Sequence, residues 1–203
     1  MTLFCVQEQL WESVHIKDES YVLINLDHPY VDARVRSDLD AGVAVFYDRR
    51  WGVTEVLNRW LLANLDLIRG KRVLVLGAGV GAATVMLGKY CSHVWINDLA
   101  PAAVELCGEQ MDQNGLKNYT TLLGSYEAID LPEVDLVVAS FLIYDAKTLK
   151  AMQAFLGNHQ GDVLLVNERL KPFRQFLKNE KHTLVFDDED GAGGIHLNRS
   201  GAK

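Results

Sequence analysis

Residues 72–88, RVLVLGAGVGAATVMLG, restrict the possible folds more than any other stretch. A β-branched apolar run ends in three closely spaced glycines, and small and long apolar residues follow. The pattern predicts a buried strand over Lys71–Leu76, a tight bend at Gly77, Gly79 and Gly81, and a helix over 82–89. Glycine tolerates backbone angles closed to other residues, so such a bend lets main chain come very close to a ligand. At this point a dinucleotide pyrophosphate and a phosphate-free adenosine are equally compatible, because GAGVGA satisfies both GxGxxA and GxGxG.

The rest of the chain repeats the alternation. The segment WGVTEVLNRWLLANL puts Val53, Val56, Leu57, Trp60 and Leu61 on one helical stripe. HVWIND (93–98) reads as the second strand after the bend. Pro101 opens a helix, where its missing N–H costs nothing, and Asn114-Gly115 ends it. YTTLL (119–123), VDLVVAS (134–140) and DVLLVN (162–167) are further strands. Asp145 caps a helix carrying Leu149, Met152, Phe155 and Leu156 and closed by Gly157. LKPFRQFL is a short helix. HTLVFDD and GIHLNR are two final strands flanking the acidic run Asp187–Asp190, a solvated loop. Strands alternating with helices at this spacing imply an α/β, doubly wound, mostly parallel sheet, and the last two strands imply an antiparallel edge. Residues 1–45 form an N-terminal extension, expected as a hairpin or two short strands broken at Lys17–Ser20. Residues 46–203 form the Rossmann-like domain.

Bulk properties narrow the partners. With 203 residues and a net charge of −7, the chain lacks the excess of base expected of a general nucleic-acid binder, so no nucleic-acid partner is expected. No long apolar stretch predicts a membrane span, and no secretory segment is read at the N-terminus. Cys5, Cys91 and Cys107 form neither a CxxC pair nor a metal spacing, which fits a reducing cytoplasm and no metal. The six histidines are scattered without metal-binding pairs.

In an open α/β sheet, ligands lie beyond the carboxyl ends of the strands at the switch point. The glycine bend is one such place. Asp98, closing the second strand 21 positions after Gly77, is another, and its carboxylate can accept both ribose hydroxyls. Three features favour an adenosine ligand over a nicotinamide dinucleotide. A helix and about 70 residues precede the glycine strand. Tyr144 and Lys147 stand one residue too close for YxxxK. Two edge strands follow the fifth strand.

WGVTEVLNRWLL, GKRVLVLGAGVGAATVML, INDLAPAAVELCGEQMDQNG and VDLVVASFLIYD, in this order, resemble the class I S-adenosylmethionine-dependent methyltransferases over about residues 45–200. Among them the chain is most similar to the small lysine methyltransferases that include the enzyme modifying the electron-transfer-flavoprotein β subunit. The resemblance implies seven strands ordered 3-2-1-4-5-7-6 and S-adenosyl-L-methionine as cofactor. It implies that Gly77, Ala78, Gly79, Gly81, Asp98, Leu99, Ser125, Tyr126 and Ser140 hold that cofactor. It places Tyr144 and Asp145 at the reacting end, and Trp51 in the pocket wall. Two positions depart from the family: Val75 stands where an acidic residue usually precedes the glycines, and Phe141 occupies the acidic slot of Asp-x-x-Tyr.

Methyl transfer from a sulfonium is an in-line displacement that asks the protein for alignment, desolvation and a deprotonated acceptor. The expected acceptor is a nitrogen of a protein side chain or a small amine. Asn167 and Glu168, ending the fifth strand on the expected substrate side, are candidates for acceptor specificity. Two alternatives stand beside this reading: a non-catalytic binding protein of the same fold, and an NAD(P)-dependent oxidoreductase.

Overall fold

A computed structural model describes residues 9–179, 182–187 and 193–198. After the glycine-rich segment the elements alternate: β3 (Arg72–Leu76), α3 (Ala82–Tyr90), β4 (His93–Asp98), α4 (Pro101–Gln113), β5 (Tyr119–Leu123), β6 (Leu136–Ser140), α5 (Ala146–Asn158), β7 (Asp162–Asn167), α6 (Lys171–Asn179), β8 (Thr183–Asp187) and β9 (Gly194–Asn198). They are preceded by β1 (Trp11–Ile16), β2 (Glu19–Ile24), α1 (Pro29–Asp40) and α2 (Gly52–Ala63). The main sheet has seven strands in the order β5-β4-β3-β6-β7-β9-β8. Counted from β3 as the first, this is 3-2-1-4-5-7-6, as the resemblance implies. β3 to β7 pair in parallel, and β9 runs antiparallel to both β7 and β8.

The unbroken apolar strands follow from burial on two faces. In β3, Val73 and Val75 join the core formed with α2 and α3, whereas Leu74 and Leu76 join the core formed with α5 and α6. β6 splits in the same way: Leu136 and Val138 face the first core, Val137 and Ala139 the second. β3 lies between β4 and β6, where chain progression reverses, so the crevice opens beyond the carboxyl ends of these strands.

The N-terminal extension contains the expected hairpin, with Trp11 opposite Ile24 and a two-residue turn at Lys17-Asp18. Lys17 takes the left-handed conformation there, at φ 54. It also contains a helix that the pattern did not predict. α1 buries only Val31 and Asp38, so it lacks the apolar stripe that betrays most surface helices; His28 and Pro29 start it. A second correction concerns α5, which passes through Gly157 to Asn158. Most of the acidic run, Asp188–Asp190, lies outside the described residues, as does Cys5.

The hairpin is clasped to the end of α3. The Glu19 carboxylate accepts from Tyr90 Oη at 2.7 Å and from Lys89 Nζ at 3.0 Å. Lys89 also lies 4.2 Å over the Tyr21 ring. The Tyr90 hydroxyl, followed by Lys89, holds the Glu19 carboxyl below its ordinary 4.5. A carboxyl depressed in the folded state stabilises the fold above its unfolded value, and that contribution disappears as pH falls through the folded value. Glu19→Gln should therefore lower the melting temperature slightly near neutrality, and the gap to wild type should close on acidification below 4.5. Thermal melts across this pH range measure it; a gap that widens on acidification would refute the assignment.

Candidate cofactor and acceptor site

The bend after β3 needs glycine for two separate reasons. Gly77, Gly79 and Gly81 all take left-handed angles, at φ 60, 55 and 86. In addition, a Cβ at Gly77 would collide with Leu142, and one at Gly81 with Cys107 and Thr84. Gly81 is thus a packing position where α3 meets α4, while the bend at Gly77–Gly79 brings main chain to the crevice.

Asp98 organises the adjacent rim. Its Oδ2 accepts from Gly79 N at 2.8 Å and its Oδ1 accepts from Ala100 N at 3.0 Å. Desolvation pushes the carboxyl up from its ordinary value, and the surrounding N–H groups pull it back. Each oxygen keeps further lone pairs for a ligand hydroxyl. Asn97, buried one position earlier, donates from Nδ2 to Leu122 O at 2.9 Å and to Gly124 O at 2.8 Å. It thereby holds the loop after β5, where Ser125 and Tyr126 lie. Ser125 Oγ accepts from Glu127 N at 3.4 Å, and Tyr126 packs edge-on against Phe155.

At the other end the wall is aromatic. Trp51 stacks on Phe141 with ring centres 3.8 Å apart, and its Nε1 donates to Phe46 O at 3.0 Å. Phe46 and Tyr144 lie 4.8 Å apart. Phe141 holds φ 55, a conformation that costs a bulky residue on the order of 1–3 kcal/mol. Its stack on Trp51 and the bond from its N–H to Val166 O hold it there. Burial, with the Asp145 and Asp98 charges, pushes the Tyr144 hydroxyl upward, so it stays a neutral phenol. Ser140 Oγ pairs with Thr54 Oγ1 at 3.0 Å.

The candidates drawn from the bend, Asp98, Leu99, Ser125, Tyr126, Ser140, Trp51, Tyr144 and Asp145 all line one cavity of about 430 Å³. That volume suits a small organic ligand. Val75 also lines it, as an apolar patch beneath the bend. Asp145 is at the same time the cap of α5: its Oδ1 accepts from Thr148 N at 2.7 Å within a capping box. Asn167 and Glu168 do not line this cavity. β9 returns beside the end of β7, and the Asn167 side chain is buried. Its Oδ1 accepts from Ile143 N at 2.9 Å and its Nδ2 donates to Ile143 O at 3.0 Å, so it braces the loop carrying Phe141 and Tyr144. Sequence reading missed Phe46, Thr54 and Asn97, and noted Phe141 only as a departure from Asp-x-x-Tyr. Of those missed, only Asn97 left a trace, as a polar residue inside an apolar strand. Among the described residues, no cluster of metal ligands exists and no helix is long and apolar enough to cross a membrane.

The sheet order, the glycine bend and the carboxylate at the second strand tip are those of the class I methyltransferase fold. Residues 73–159 match the family described as "Methyltransferase domain". It is similar to the human electron transfer flavoprotein beta subunit lysine methyltransferase, 30% identical over 124 residues, covering 60% of this chain and 47% of the relative. A protein-lysine N-methyltransferase of Chaetomium thermophilum is 30% identical over 123 residues, covering 53% of this chain and 37% of that one. The chain thus spans less than half the length of these two relatives. Among solved structures, a T. thermophilus 16S rRNA methyltransferase in complex with AdoMet and guanosine superposes with a TM-score of 0.66 at 17% identity, over 95% of this chain and 51% of that one. A SAM dependent methyltransferase from Aquifex aeolicus superposes at 0.53 with 21% identity, over 69% and 87%. At these identities the two structures show the fold.

Proposed function

We propose that the protein transfers a methyl group from S-adenosylmethionine to a nitrogen of a protein side chain or a small amine. The observation that carries this reading is the single crevice joining the Asp98 rim to the aromatic wall of Trp51, Phe141 and Tyr144. The relatives named as lysine methyltransferases support an amine acceptor.

The residues present fit the cofactor. Asp98 would bind the ribose hydroxyls, the main chain of the bend Gly77–Gly79 would pack against the nucleoside, and Leu99, Ser125 and Tyr126 would border the adenine. The cofactor supplies an activated methyl on a sulfonium sulfur. The chain supplies alignment and exclusion of water. The neutral Tyr144 hydroxyl would accept from an N–H of the acceptor nitrogen and leave its lone pair aimed at the methyl, while the rings of Phe46, Trp51 and Phe141 keep the reacting end dry. Asp145, exposed at the mouth, would draw a cationic acceptor inward; the amine would lose its proton to solvent there before attacking the methyl, and S-adenosylhomocysteine would be the leaving group.

The test is incubation with S-adenosylmethionine and panels of lysine-containing proteins, small amines and RNA, followed by mass spectrometry for an added methyl. Methylated amine supports the reading. Methylated RNA alone, or no transfer despite cofactor binding, overturns it. Tyr144→Phe should lower kcat by about tenfold or more, the scale of one lost orienting hydrogen bond, with S-adenosylhomocysteine affinity unchanged. Steady-state kinetics with calorimetry measure both; an unchanged kcat removes Tyr144 from the reacting end.

A further inference from the structure

The N-terminal extension is tied to the crevice by buried polar side chains that the proposed chemistry does not use. Asp38, at the end of α1, is 5% exposed. Its Oδ2 accepts from Tyr47 Oη at 2.7 Å and from Ala102 N at 3.2 Å. Ala102 lies in the first turn of α4, whose own N-cap residue, Ala100, offers no capping side chain. Asp38 therefore supplies, from 64 residues earlier, the cap that α4 lacks. Tyr47 closes the other side. It is buried, and its Cβ lies 3.5 Å from where a Gly79 Cβ would stand, so it packs directly on the bend.

The contacts form a closed circuit. Asp98 grips Gly79 N and Ala100 N, Tyr47 packs on Gly79, and Asp38 joins Tyr47 to Ala102. A second buried link runs parallel to it. Gln110 Oε1 accepts from Ile24 N at 2.8 Å, and Gln110 Nε2 donates to Val80 O at 2.7 Å, connecting β2 to the bend. Local hydrogen bonding would not require an acid in α1 or a tyrosine in the following loop; both make sense as supports of the bend and of the Asp98 rim. Satisfied buried networks of this kind hold one geometry rigidly.

We propose that Asp38 and Tyr47 are a positioning pair: they hold the glycine bend and the start of α4 in the geometry that binds the adenosyl cofactor, which makes the extension part of the cofactor site. The ligand arm of the test rests on the cofactor reading above; the ligand-free arm does not. Tyr47→Phe removes only the hydroxyl and keeps the Cβ contact at Gly79. Asp38→Asn keeps an acceptor oxygen and removes the charge. Each should weaken S-adenosylhomocysteine binding by about tenfold, the scale of one charge-assisted hydrogen bond, and the double variant should be scarcely worse than either single one. Glu19→Gln, which loosens the hairpin far from the bend, should leave this affinity unchanged. In the ligand-free protein, amide exchange at 77–81 and 98–102 should accelerate in both pair variants and not in Glu19→Gln. Lowered melting temperature with unchanged affinity and unchanged exchange at these amides would overturn the proposal and leave the pair a structural brace. If the wild type bound no S-adenosylhomocysteine, the cofactor reading would fail while the exchange arm still decided the coupling.

Discussion

Replacing Asp98 with Ala is expected to weaken S-adenosylhomocysteine binding by at least ~1.5 kcal/mol, more than tenfold, because the two charge-assisted hydrogen bonds proposed between this carboxylate and the ribose would be lost. The loss is compounded by the protein itself. Asp98 also accepts from Gly79 N and Ala100 N, so its removal loosens the bend as well as the sugar contact. Asp98→Asn keeps one oxygen acceptor and should fall between wild type and Ala. Titration calorimetry on the folded proteins reads these differences. An Ala variant that binds as tightly as wild type would mean that the ribose lies elsewhere.

The largest effect on stability is expected at Gly81. An added Cβ meets Cys107 and Thr84 in the seam between α3 and α4, and the residue sits at φ 86. Left-handed strain of roughly 1–2 kcal/mol adds to overpacking of roughly 1–3 kcal/mol. Gly81→Ala should therefore lower the melting temperature by about 10 °C in a domain of this size. Relieving the crowding with Cys107→Ala should recover part of that loss and leave the strain. A Gly81→Ala protein as stable as wild type would show that the seam can open at no cost. The contrast with Gly79 is informative: a Cβ there finds ordinary contact with Tyr47 at 3.5 Å, so backbone angle alone, at φ 55, sets its requirement.

Where local pattern was strong, it located structure well. Val53, Val56, Leu57 and Leu61 are buried on α2, as their spacing implies, and Pro101 opens α4. The strand ending at Asp98 and the bend at Gly77–Gly81 lie side by side, because parallel pairing of β3 with β4 brings both carboxyl ends to one edge. Where local pattern was weak, it was silent. α1 has too little apolar surface to declare itself. Asn167 was read as facing the acceptor because it ends a strand at the correct edge, yet β9 covers that end and its amide turns inward to Ile143.

By itself the sequence determined the order of strands and helices from α2 onward, the glycine bend, and the carboxylate 21 residues beyond it. Periodicity, turn chemistry and capping are local properties, and they are written over a few residues. Only the tertiary structure decided that Trp51 stacks on Phe141, 90 residues away, and that Asp38 caps a helix 64 residues further on. Such contacts depend on how separate elements pack against a shared sheet, and no short-range pattern records which side chain will meet which.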